Sequence, residues 1–244
     1  MNLRKLILTN NACYKAGRTI TPQGIMLHST GANNPWLRRY VGPDDGLLGV
    51  NRHNNHWNQE RPDGRQVCVH AFIGRLADGS VATYQSLPWN HRGWHCGRGV
   101  RGSGNDTHIS VEICEDNLTG AAYFRKVYDE AVELCVHLCK LFGLTEADII
   151  SHSEGFRLGI ASNHADVMQW FPRHGKSMDS FRADVRKELA ESDYEIYTVV
   201  KGDTLWKIAA ARLGSGARHP EISEMNALSS GTIVAGQKLK IPTK

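Results

Sequence analysis

Ile149-Ile150-Ser151-His152-Ser153-Glu154-Gly155-Phe156-Arg157-Leu158-Gly159-Ile160-Ala161-Ser162-Asn163-His164-Ala165-Asp166 joins a short apolar run and its histidine to a loop-like stretch that carries two further candidate metal ligands, His164 and Asp166. The apolar pair Ile149-Ile150 reads as a short buried strand that ends beside His152. A second such run, Gly24-Ile25-Met26-Leu27-His28-Ser29-Thr30, also delivers a histidine near its end. In α/β sheets the carboxyl ends of strands open into the crevice where ligands bind, so two imidazoles placed there can share one ion. Catalytic zinc takes three protein ligands from His, Asp, Glu or Cys and keeps a fourth position open. His28 and His152 supply two, and His164 and Asp166 are both candidates for the third.

Further strands surround these two. Residues 67–74 and 80–86 flank the turn Ala77-Asp78-Gly79-Ser80 and read as a hairpin. From Thr107 to Cys114, Ile109, Val111 and Ile113 alternate with Ser110, Glu112 and Cys114, which puts Glu112 on the more polar face. A carboxylate beside a metal-binding cleft is suited to act as a general base. Residues 121–142 repeat apolar side chains at helical spacing, with Thr119 as a cap and Gly143 as the stop; a second helix is expected over 178–189. Strands mixed with flanking helices predict an α/β domain, a central mixed sheet with a zinc cleft.

The composition bounds the partners. With 41% hydrophobic and 22% charged residues the chain is an ordinary globular one. No apolar run reaches the roughly 20 residues that span a bilayer, so membrane insertion is not expected. The segment Leu6-Ile7-Leu8 is short of a secretory core of roughly 7–15 residues. Synthesis in the cytoplasm is therefore expected, and a chain working on an extracellular polymer would need release by another route. The net charge of +4 is spread over scattered Lys and Arg, which argues against nucleic acid. It leaves room for weak attraction to anionic wall polymers. The six cysteines form no CxxC knuckle and are expected to be reduced, buried and hydrophobic in behaviour.

Leu27-His28-Ser29, Gly93-Trp94-His95-Cys96-Gly97, Ser110-Val111-Glu112-Ile113-Cys114, and Ser151 to Glu154 through His164-Ala165-Asp166 together resemble the type-2 N-acetylmuramoyl-L-alanine amidases. These share a fold with T7 lysozyme and the peptidoglycan recognition proteins. The resemblance covers roughly residues 20 to 185, and the phage and prophage enzymes of Gram-positive bacteria look most similar. It implies that His28, His152 and Asp166 hold Zn2+, that Glu112 is catalytic, and that His164 stands where the family usually has an oxyanion-stabilising lysine. The stretch from His152 to Asp166 is longer than the shortest family versions, which keeps His164 open as the alternative third ligand. The family's assisting tyrosine corresponds to Val69 here. His70, Trp94 and His95 are expected to line the cleft. Gly97 to Gly104 reads as a loop at its rim, and His53 and His56 as part of a surface loop.

After a polar linker at 191–195, residues 196–244 resemble a LysM domain of βααβ form through Tyr197-Thr198-Val199, Gly202-Asp203-Thr204-Leu205-Trp206, Met225-Asn226-Ala227-Leu228 and Gly236 to Pro242. The resemblance implies glycan binding by Gly202, Asp203, Thr204 and Leu205 on one side and by Asn226, Leu228 and Ile233 on the other. The expected division is a catalytic domain over 1–190 and this module. The expected activity is zinc-dependent hydrolysis of the amide between the muramic acid lactyl group and L-alanine in peptidoglycan. A monomeric phage or prophage endolysin is the expected setting, with a host autolysin or a non-catalytic peptidoglycan recognition protein as alternatives.

Overall fold

The computed structural model describes residues 1–191, 194–226, 228 and 230–243. Two compact units divide the chain, Met1–Val185 and Arg186–Lys244. In the first, the elements run β1 (Leu3–Lys5), α1 (Ala12–Lys15), β2 (Gly24–Ser29), β3 (Ala71–Arg75), β4 (Val81–Gln85), β5 (His108–Ile113), α2 (Ala121–Phe142), β6 (Ile149–Ser151), α3 (His152–Arg157), α4 (Val167–Trp170) and α5 (Met178–Glu191), whose last turns belong to the second unit. The second unit continues with β7 (Tyr194–Thr198), α6 (Leu205–Leu213), α7 (His219–Met225) and β8 (Lys238–Pro242).

Six strands form one mixed sheet in the order β1-β4-β3-β5-β2-β6. β2 lies between β5 and β6, parallel to both, and every one of its residues is buried. A strand covered on both faces needs a continuous apolar run, which Ile25-Met26-Leu27 provides. The register pairs His28 with Glu112 and Leu27 with Ser151, so His28, Glu112 and the first residue past β6, His152, emerge at one edge of the sheet. The hairpin β3–β4 is antiparallel and turns through Gly79 at φ 83°, as the Asp-Gly signal predicts.

α2 runs over the residues expected and ends at Gly143 in the left-handed region, where a side chain would be strained. Its cap differs from expectation. Gly120, not Thr119, is the N-cap and no side chain bonds the first amides. Tyr123, Phe124, Val127, Tyr128, Leu134 and Leu138 bury its inner stripe, and α2 packs on β3 and β4. Each such side chain contributes roughly 1.5–3 kcal/mol by leaving water.

The stretch after β6 is a correction. Residues 152–157, read as loop-like, form α3. Ser151 Oγ accepts from the Glu154 amide at 3.2 Å while Glu154 Oε2 accepts from the Ser151 amide at 2.8 Å, a reciprocal capping box. The S-x-x-E signature was present in the sequence as Ser151 to Glu154. α5 extends to Glu191 and β7 begins at Tyr194, so the residues read as a linker are partly regular structure; Ser192 and Asp193 lie outside the described residues. None of the six cysteines forms a disulfide; five are buried and Cys13 is half-buried.

In the second unit β7 and β8 pair antiparallel, with α6 and α7 between them in sequence. Val199, Leu205, Ile208, Ala209, Ile222, Leu239 and Ile241 form its core, with Leu228 and Ile233 packed against it. Ala227, Ser229 and Lys244, included in the LysM reading, lie outside the described residues.

Candidate active site

Three side chains that are far apart in sequence meet at the sheet edge. Asp166 Oδ2 lies 2.7 Å from His152 Nδ1 and 3.2 Å from His28 Nδ1, and the two Nδ1 atoms are 3.1 Å apart. β2 delivers His28, and the capping box starts α3 on His152, which fixes where that ring points. Asp166 precedes α4 with φ 46° and ψ −126°, a backbone region that costs a non-glycine residue on the order of 1–3 kcal/mol. From this backbone its carboxylate reaches both imidazoles.

Electrostatics follow from this crowding. Burial opposes the charged form of Asp166, but hydrogen bonds from His152 and His28 outweigh it and hold the carboxyl below the usual range. Burial lowers His28, against the pull of Asp166, so its ring is favoured neutral. Glu112 is half-buried beside His28, and burial together with the charges of Asp166 and Glu115 raises its carboxyl well above the ordinary value. Its Oε2 is buried with no hydrogen-bond partner in the protein.

The trio and Glu112 line a cleft of about 460 Å³. Trp94, His95 and His164 line it too, as expected, and so does Val69. His164 is not one of the three converging donors, but its ring packs beside His152, centroid to centroid 4.9 Å. His95 has a more specific post than a cleft wall. Its Nδ1 lies 3.0 Å from His28 Nε2, so the second nitrogen of His28 is engaged and its tautomer directed. The His95 amide in turn donates to Asn105 Oδ1 at 2.7 Å.

His70 is a correction. It is fully buried and does not line the cleft. Its Nδ1 bonds with the hydroxyl and amide of Ser110, and its Nε2 donates to the His91 carbonyl at 2.7 Å. It ties β3 to β5, and burial drives its pKa down to about 4. Sequence reasoning also missed cleft residues. Tyr40, Trp57, Arg65 and Ser162 line it. They come from irregular segments without periodicity, where no local pattern reports which side chain faces inward. His53 and His56 do not line this cleft.

A family profile described as N-acetylmuramoyl-L-alanine amidase matches residues 18–169, more than half of the chain, and takes in every residue of this cleft. The chain belongs to the N-acetylmuramoyl-L-alanine amidase family. Residues 197–242 match the LysM domain. Among curated relatives, the N-acetylmuramoyl-L-alanine amidase XlyA of Bacillus subtilis (strain 168) is 31% identical over 157 residues, 64% of this chain and 46% of that protein. The N-acetylmuramoyl-L-alanine amidase CwlA of a Bacillus species is 39% identical over 91 residues, 36% of this chain and 35% of that protein. The matched regions thus span less than half the length of either relative. The solved catalytic domain of XlyA superposes with a TM-score of 0.52 at 25% identity, over 76% of this chain and 99% of that one. The PlyG catalytic domain superposes at 0.55 with 20% identity, over 78% and 96%, a likeness of fold.

In the LysM unit the residues expected to meet glycan have visible structural work. Gly202 takes φ 95° in the turn before α6. The Asp203 carboxylate accepts from the Tyr197 hydroxyl at 2.9 Å and the Val200 amide at 2.8 Å. Thr204 caps α6, and Leu205 is buried in the core. Asn226 accepts from the Lys240 amide and donates to its carbonyl, pinning β8.

Proposed function

We propose that this chain is a zinc-dependent amidase that cleaves the bond between the muramic acid lactyl group and L-alanine of peptidoglycan, held on the wall by its LysM domain. The observation that carries the reading is the convergence of His28 Nδ1, His152 Nδ1 and Asp166 Oδ2 beside a carboxylate with an unpartnered oxygen. The donor set suits zinc: two imidazoles, one carboxylate, and an open cleft on the remaining side. The three donor atoms lie 2.7–3.2 Å from one another, so His28, His152 and Asp166 would be the residues to hold the ion. When bound, zinc supplies Lewis acidity that polarises a carbonyl and acidifies water.

The protein's own groups do the rest. Glu112 accepts the proton of the attacking water at its free Oε2 and passes it to the leaving L-alanine amine. Burial and the charges of Asp166 and Glu115 raise its carboxyl, and a dication held by the trio would act in the opposite direction. His164, exposed at the cleft, donates to the developing oxyanion where a lysine is usual in the family. His95 positions His28, and Trp94 offers a partly exposed aromatic wall to the substrate. That Asp166 rather than His164 completes the ligand set is supported by the trio's mutual distances. Tethering by the LysM domain raises local substrate concentration, with the loop around Gly202 to Leu205 and residues Asn226, Leu228 and Ile233 forming the glycan side. A phage or prophage endolysin role fits this pairing of domains.

The test is digestion of purified Gram-positive peptidoglycan with and without a chelator, comparing wild type with Glu112→Ala, and mass spectrometry of the released ends. The reading expects new L-alanine amino termini that vanish with chelator and fall 100- to 10,000-fold in rate in the variant, on the order of a general-base contribution. Wall binding by zinc-loaded protein without new ends would leave the recognition-protein alternative standing instead.

A further inference from the structure

The cleft does not end at Trp94. A second cavity of about 610 Å³ adjoins it, lined by Arg18, Arg61 and Arg92 together with residues of α1. Trp94 belongs to both linings and is 42% exposed, so one indole forms the wall between the reacting cleft and the arginine cavity. The arginines outnumber the acids that face them. Arg92 Nε donates to Asp106 Oδ1 at 2.5 Å, and Arg18 approaches the same oxygen at 3.9 Å. Arg61 makes no ion pair among the described residues and is exposed. The guanidinium of Arg92 also sits 5.4 Å from the Trp94 ring centroid, which holds that wall in place. The loop is pinned from behind by the paired backbone bonds of Trp94 and Cys68.

We propose that this cavity is an oxyanion subsite for the wall polymer, taking a carboxylate or phosphate group on Arg18 and Arg61 while the polymer crosses Trp94 into the cleft. The inference rests on the amidase reading for the identity of the polymer. Planar guanidinium groups match the paired oxygens of carboxylates and phosphates, and a half-exposed indole gives an apolar face to a sugar or peptide between the two sites. Two parts of a bacterial wall carry such an oxyanion: the free carboxylates of the stem peptide and the phosphodiesters of attached polyol-phosphate chains.

The probes are a soluble disaccharide-pentapeptide and a short poly(glycerol phosphate), each titrated calorimetrically into full-length Glu112→Ala protein and into the same protein carrying Arg18→Gln and Arg61→Gln. Both arginines are exposed, so the fold is expected to survive, and circular dichroism checks it. Affinity for one probe is expected to fall about tenfold, the combined size of two exposed charge contacts, with a shallower salt dependence. The probe that loses affinity identifies the source of the oxyanion. Arg157→Gln, on α3, serves as the charge control and should change neither. Affinities within twofold for both probes, or no binding of either by the Glu112→Ala protein, would overturn the proposal. Because binding is read without turnover, a failure of the amidase reading, seen as missing L-alanine ends from the wild type, is distinguishable from it.

Discussion

Replacing Glu154 with alanine is expected to destabilise the first unit by about 2 kcal/mol and, on the zinc reading proposed above, to weaken metal binding, although Glu154 is not one of the three proposed ligands. Its Oε2 accepts from the Ser151 amide at 2.8 Å and the Ser151 hydroxyl at 3.1 Å, and its carboxylate meets Arg182 at 3.0 and 3.2 Å. The cap is worth about 1 kcal/mol. The ion pair, with both partners about one-fifth exposed, adds about 1 kcal/mol after screening. Arg182 is not orphaned by the change, because it keeps Asp179 at 2.6 Å and the Ile149 carbonyl at 3.1 Å. That limits the cost and sets the ceiling. A drop of this size lowers the melting temperature by roughly 4–8 °C in a domain of this length. Urea unfolding and calorimetry of the zinc-loaded chain measure it, and competitive titration with a chromogenic chelator reads the zinc affinity. Glu154→Gln keeps an acceptor for the cap and should recover about half the loss. A change below about 0.5 kcal/mol in Glu154→Ala, or equal losses in the two variants, would refute the view that the capping box places His152.

Three further outcomes follow from the same geometry. Asp166→Ala removes one of three donors and the partner of two imidazoles, so the purified variant should lose stoichiometric zinc, measured by atomic emission, along with its activity. His70 is held neutral by burial, with its pKa near 4 against about 6.5 unfolded. Its contribution is therefore whole above pH 6.5 and is lost as pH falls toward 4, at most about 3 kcal/mol. Urea midpoints from pH 7 to 4.5 should decline less steeply in His70→Gln than in wild type, and an unchanged slope would contradict this. In the LysM unit, Asp203→Ala removes the acceptor of Tyr197 and Val200 and should cost that unit about 1–2 kcal/mol, seen as an earlier melting of its NMR signals.

Much of this protein was determined by local sequence. The buried run of β2, the Asp-Gly turn of the hairpin, the stripe of α2 and its glycine stop are written in periods of two and 3.6 and in backbone preference, which need no partners to be read. Strand ends point to His28 and His152 and leave His164 and Asp166 both open as the third member; only the resemblance of the Asn163-to-Asp166 block to the amidases implies Asp166. Even the missed helix α3 had its signature in Ser151 and Glu154. What only the tertiary structure decided is which way side chains face where no period applies. His70 and His95 are both histidines near the same strands, yet one is buried against Ser110 while the other braces His28. Tyr40, Trp57 and Arg65 reach the cleft from loops, and three arginines from three separate segments gather behind Trp94. Those positions depend on how distant segments pack, and a packed neighbour 40 or 100 residues away leaves no mark on local sequence.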